Sequence, residues 1–311
     1  MINIQKKYIY SILYSIFILS LSFYFVPLYI YGDQQFYSDF YENCFYVNVD
    51  SFECYKNKLG TQEPLYYTLV LIMNYFNIDR NIFIIFSNAI LAIMLCLNVY
   101  KFYVKDFTRN ILIMFLLTNY YFVVLMFAAE RLKFSVIFIL LYLYFSSKYS
   151  IFYYILAILG HIQSVFLSFY VVLFEMLKIK KIWLRSLLVV FFGVCFGMFF
   201  IFFNEHISNK ISAYSDDGGS IGSILKTLFF VLLSYWYSKN IKLLLCSLPL
   251  LVASFTLDVE RVAIFAFFVL IGTIIYYKRK MDLALFFILI YFSYKSIEFM
   301  SNIIEYGAGY I

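Results

Sequence analysis

Apolar residues run in long blocks along this chain, and short polar breaks divide the blocks. Periodicity does not separate buried from lipid-facing helix in such blocks, so apolar length, breakers and charge define the elements. A first span is expected over 8–30, followed by a polar loop over 31–63. Pro64 to Ile78 is apolar but short, and Asp79 and Arg80 stop it; it is expected to be re-entrant or to lie on the surface. Further spans are expected at 81–100, 110–128, 132–147, 186–203, 224–238, 241–257, 262–277 and 283–301, with a second loop over 204–223. Residues 151–174 form either one span or a tight hairpin turning at Gly160 and His161.

Composition fixes the solvent. The 311 residues are 64% hydrophobic and 14% charged, with a mean hydropathy of +0.86. No soluble core absorbs that much apolar surface, so the expected class is an all-α polytopic membrane protein. No linker or internal repeat is visible, and a single integral membrane domain over 1–311 is expected. Lys6 and Lys7 precede a first run longer than a signal-peptide core, with no A-x-A-like site after it, so that span is expected to stay uncleaved. The net charge of +6 is scattered over short turns and does not point to nucleic acid.

Charge decides the hairpin. With it, the basic clusters at Lys101–Arg109, Lys178–Arg185, Lys239/Lys242 and Lys278–Lys280 all face the cytoplasm, and nearly all of the 18 acids face the other side. Without it, the last three clusters flip outward against the positive-inside bias. The hairpin arms are about 16 Å and 22 Å at roughly 1.5 Å per residue, shorter than a hydrocarbon core of ~30 Å. Broken helices of this kind persist where protein or a water-filled cavity lines them. The result is about eleven spans with short re-entrant segments, the N-terminus inside and the C-terminus outside.

This threading brings Asp33, Asp39, Glu63, Glu130-Arg131, His161 and Asp258-Glu260-Arg261 to the outer boundary. Charges beside a span usually have partners or a task. Glu130-Arg131 and Glu260-Arg261 are either interfacial anchors or mutual pairs, or the two arginines form an anion clamp, for which a flat guanidinium fork suits phosphate. His161 is one of two histidines; it reads either as a satisfied structural residue or, with Gly160, Gln163 and Ser164, as a polar apex. His206 reads as solvated. Glu63-Pro64 also fits an ordinary helix start. Aromatics and acids alternate around Phe36, Tyr37, Asp39, Phe40 and Tyr41, which fits sugar binding and equally an interface belt. Cys44 and Cys54 share the outer loop and either pair or stay free, whereas Cys96, Cys195 and Cys246 read as small apolar residues. No metal-ligand spacing, phosphate loop or dinucleotide motif is present in the sequence, and neither metal nor cofactor is expected.

The order Gly32-Asp33-x-x-x-Tyr37, Glu63-Pro64-Leu65-Tyr66, Arg131, His161-x-x-Ser164 and Arg261-x-x-x-Phe265 resembles the EpsG-like branch of the Wzy-type polysaccharide polymerases, over about residues 30–270. The resemblance implies a bacterial inner-membrane enzyme with a GT-C-like fold and a periplasmic site. Such an enzyme transfers a growing glycan from undecaprenyl diphosphate to the non-reducing end of a lipid-linked repeat unit. The implied partners are that lipid-linked oligosaccharide, membrane lipid and a chain-length regulator. The reaction then assigns His161, followed by Glu63 or Asp33, as base, and Arg131 and Arg261 to the diphosphate. Tyr37, Asp39, Tyr66 and Gln163 would face sugar. The chain departs from the family pattern after Arg131, where Leu132-Lys133-Phe134-Ser135 replaces Gln-Gly-Ile-Ala, and after His161, where Ile162-Gln163-Ser164 replaces Tyr-Ser-Ala. Rival readings are an O-antigen ligase, a lipid-linked oligosaccharide flippase or transporter, and a membrane acyltransferase.

Overall fold

The structure is a computed structural model that describes residues 2–45, 50–103, 106–145, 150–161, 163–165, 167, 170, 181, 183, 221–256, 259–277, 279 and 281–310. Every regular element among them is helical. The chain forms two compact units, Met1–Ser164 with Lys280–Ile311, and Val165–Arg279.

The first unit contains α1 (Ile2–Phe25), α2 (Asp33–Asn43), α3 (Ser51–Leu59), α4 (Pro64–Tyr75), α5 (Arg80–Phe102), α6 (Asp106–Leu117), α7 (Tyr120–Phe127), α8 (Glu130–Phe145) and α9 (Ser150–Gly160). The second contains α10 (Ile221–Ser238), α11 (Ile241–Cys246), α12 (Leu248–Thr256) and α13 (Val259–Tyr276), and α14 (Leu283–Tyr306) returns to the first. Within the first unit α1 packs along α5, α5 on α8 and α8 on α9; within the second α10 packs on α13. Lys6–Leu28, Arg80–Phe102 and Leu283–Tyr306 are long and apolar enough to cross a membrane. The all-helical fold and these segments are those of a helical membrane protein.

Two expectations change. The loop over 31–63 contains two helices. Asp50 caps α3 by accepting from the Phe52 and Glu53 amides, and Gly60, at φ 58°, ends it in a left-handed conformation. A Cys44–Cys54 disulfide joins the end of α2 to α3, and Phe40 and Tyr55 bury fully between them. The expected span over 110–128 is broken: Asn119 accepts from the Tyr121 amide and starts a new helix, and the axis bends by 49°. The first arm of the expected hairpin at 151–174 is α9, which ends at Gly160. Of its second arm, residues 163–165, 167 and 170 are described; the expected span at 186–203 lies outside the described residues, as does the loop over 204–223, with His206, up to the start of α10.

Candidate functional site

Charged side chains from the starts of α4, α5 and α8 meet one another, Tyr37 of α2 and His161, just past the end of α9. Pro64 opens α4 and has no amide hydrogen to offer, and the Glu63 side chain makes no capping bond. Its carboxylate turns to tertiary partners instead. Glu63 Oε2 accepts from Arg131 Nη1 at 2.7 Å, and Glu63 Oε1 lies 2.7 Å from His161 Nδ1. Arg131 Nε donates to the Tyr37 hydroxyl at 3.2 Å. The Tyr55 hydroxyl donates to the Glu63 carbonyl at 3.1 Å, fixing the backbone that carries the carboxylate.

The site is nearly dry. The Glu63, His161 and Arg131 side chains are 4%, 5% and 11% exposed. Burial raises the Tyr37 and Tyr55 hydroxyls above their ordinary pKa, so both stay neutral hydrogen-bonding groups at working pH. Tight packing delivers His161. A Cβ on Gly160 would lie 2.8 Å from Ser135 Oγ and 3.3 Å from Leu65 Cδ2, so only glycine lets the end of α9 settle between α8 and α4. Ser135 and Ser164 both donate to the Ala157 carbonyl, at 2.7 and 2.8 Å.

A carboxylate at Nδ1 requires a proton on that nitrogen. His161 Nε2 is then either the basic lone pair or, in the imidazolium, a second donor. Gln163 Oε1 lies 3.3 Å from Nε2. An imidazolium donates to that oxygen, whereas a neutral ring requires the Gln163 amide turned over to present its NH2 group.

A second cluster adjoins the first. Glu130 opens α8; its Oε2 accepts from the Tyr66 hydroxyl and its Oε1 from Arg80 Nη2, both at 2.7 Å. Arg80 Nη2 also donates to Gln34 Oε1, and Gln34 Nε2 donates to the Phe127 carbonyl at 2.5 Å. Behind it, the fully buried Lys133 donates to Asn88 Oδ1 at 2.8 Å and to the Met126 carbonyl at 3.5 Å. Asn88 donates onward to Ser22 at 3.0 Å. Lys133, through Asn88, and Ser135, through Ala157, thus both hold helices together.

Of the residues expected at a site, Tyr37, Glu63, Arg131, His161 and Gln163 join in one hydrogen-bonded chain. Asp33 opens α2 and lies outside that chain of bonds. Asp39 pairs with Lys58 at 3.3 Å on the surface, with both side chains at least 40% exposed. Tyr66 is fully buried and bound to Glu130, which removes it from contact with any sugar in this conformation. The Arg261 side chain, with Asp258 and the Glu260 side chain, lies outside the described residues. Arg80 was legible only as a stop signal. One sequence signal points to its role: adjacent residues on a helix do not face each other, so Glu130 and Arg131 each need a partner elsewhere. Among the described residues no cluster of three or more His, Cys, Asp or Glu side chains could hold a metal ion. Comparison with protein-family models, curated proteins and solved structures finds no match, so the candidate site rests on its own geometry.

Proposed function

We propose that the chain is an inner-membrane polysaccharide polymerase of the Wzy type. It transfers a growing glycan from undecaprenyl diphosphate to the non-reducing end of a lipid-linked repeat unit at the periplasmic face. The observation that carries this reading is the joining of Tyr37, Glu63, Arg131, His161 and Gln163 in one buried chain of hydrogen bonds. These residues are drawn from well-separated parts of the sequence, and most belong to the motifs that carry the resemblance. The fold belonging to this reading is GT-C-like, with about eleven spans and the N-terminus in the cytoplasm.

The residues divide the chemistry as follows. His161 Nε2 takes the proton of the acceptor hydroxyl, and Glu63 holds Nδ1–H and stabilises the imidazolium that forms. The acceptor oxygen bonds to the anomeric carbon as the bond from that carbon to the diphosphate oxygen breaks. The diphosphate carries away the electron pair and needs fixed positive charge. Arg131 spends Nε and Nη1 on Tyr37 and Glu63, and its Nη2 group makes no hydrogen bond among the described residues. That leaves half the fork for a phosphate oxygen, with Arg261 as the second cation that the resemblance implies. An apolar groove of about 480 Å³ between α1, the α6–α7 break and α14 offers room for a hydrocarbon chain. Phe127 lines it, and the Phe127 carbonyl is tied through Gln34 to Arg80 and Glu130.

Surface polysaccharide from a deletion strain tests the reading. A polymerase loss leaves single repeat units on the acceptor; their complete absence points to a ligase or flippase instead.

A further inference from the structure

We propose that Glu130, with Arg80 as its counter-charge, is a positioning carboxylate that bolts the first turn of α4 to the first turn of α8 and so sets the Glu63–Arg131–His161 array. The inference rests on the polymerase reading only for what the array does. The geometry stands apart from it.

Glu63 precedes α4, and Tyr66 lies three residues further on, one turn along the same helix. Arg131 follows Glu130 directly on α8. The Tyr66–Glu130 bond therefore fixes the two backbone turns that carry the Glu63–Arg131 pair, one residue away on α8 and three on α4. The two carboxylates divide the two arginines. Glu130 accepts from Arg80 and Tyr66, while Arg131 goes to Glu63. With the Glu130 side chain 1% exposed, removing Arg80 leaves a buried carboxylate that keeps its Tyr66 bond and loses its guanidinium, with the electrostatic attraction of Lys133 remaining. Arg80 thus keeps Glu130 charge-compensated in its bond to Tyr66, while Arg131 stays on Glu63. The Tyr66 ring also packs edge-on to Tyr37, the residue that holds Arg131 Nε, with centroids 5.8 Å apart.

This is a positioning role, because neither Arg80 nor Glu130 bonds to His161 and Tyr66 has no exposed surface. A purely structural contact would alter stability without altering the histidine. The chain has two histidines, so His206→Asn leaves His161 as the sole imidazole. Its ring nitrogens are then read by 15N spectroscopy on the full chain in lipid nanodiscs. In that background Tyr66→Phe keeps the ring and removes one hydroxyl. The expected result is a displaced His161 nitrogen signature, with lost Nδ1–H character, and a ten- to hundredfold fall in kcat with KM little changed, since one hydrogen bond to a charged group holds the aligned state. Arg80→Gln should do the same by freeing Glu130. Thr68→Ala, on the exposed side of the same α4 turn, should leave the signature and turnover unchanged.

An unshifted His161 signature in well-folded Tyr66→Phe overturns the proposal, whatever the turnover does. If Tyr66→Phe does not accumulate, Glu130→Gln decides by the same readout, because it keeps an acceptor for Tyr66 and removes the charge that holds Arg80. A shifted signature in a protein whose wild type polymerises nothing would overturn the polymerase reading and leave the positioning role standing.

Discussion

Replacing Arg131 with Met tests the buried array energetically. The change deletes the 2.7 Å bond to Glu63 Oε2 and the 3.2 Å bond to the Tyr37 hydroxyl while keeping most of the side-chain volume. It leaves the Glu63 carboxylate, 4% exposed, without its guanidinium partner. Breaking a buried pair from one side costs about 3–5 kcal/mol, and the lower end is expected here because His161 Nδ1 still meets Glu63 Oε1. Glu63→Gln alone strands Arg131 in the same way and should cost a similar amount. The double variant removes both charges, so its cost should fall short of the sum, with a coupling of about 2–3 kcal/mol, at the upper end for residues in one ion-pair network. The assay is denaturant unfolding in mixed detergent micelles for the wild type, both single variants and the double variant. Additive costs, with coupling below about 0.5 kcal/mol, would refute the Glu63–Arg131 pair as a contributor to the fold.

Gly160→Ala forces a Cβ to within 2.8 Å of Ser135 Oγ; overpacking of this kind costs about 1–3 kcal/mol, so the thermal midpoint should fall, and an unchanged midpoint would contradict the close approach of α9 to α8. In a variant lacking Cys96, Cys195 and Cys246, Cys44 and Cys54 should resist maleimide until reductant is added, and labelling of both beforehand would rule out the bond. Loss of that cross-link, which spans ten residues of chain, should cost up to ~3 kcal/mol in the chain-entropy view of disulfides. Periplasm-active reporters fused after Glu63 or Glu130 should be active and those fused after Lys101 inactive; the reverse pattern would place the array on the cytoplasmic face.

The apolar segments were legible because lipid imposes a minimum helix length that the sequence must meet. The 81–100 run corresponds to α5 and the 283–301 run to α14, within a few residues at each end. The helices in the outer loop were not legible. Tyr37 and Phe40 have the composition of an interface belt or a sugar platform, and only tertiary packing with Tyr55 and Tyr66 makes them a buried aromatic cluster. The break at Asn119 was hidden for a related reason: one capping side chain inside a long apolar run leaves hydropathy almost unchanged. At the site, Glu63, Arg131 and His161 stood out because charge beside a span is costly and calls for partners. Which charge meets which is set by helix approach. Glu130 pairs with Arg80 across 50 residues of chain, and Lys133, inside an apolar segment, is satisfied by Asn88 from another helix.

The most direct test of the account uses the purified full chain in liposomes supplied with an undecaprenyl-diphosphate-linked repeat unit as sole substrate, with no lipid A core acceptor. Products are resolved by length on a gel. The account predicts a ladder of lengthening lipid-linked glycans from the wild type, and none from Glu63→Gln or His161→Gln protein reconstituted at matched levels. Unextended substrate with the wild type, or an undiminished ladder with both variants, would contradict it.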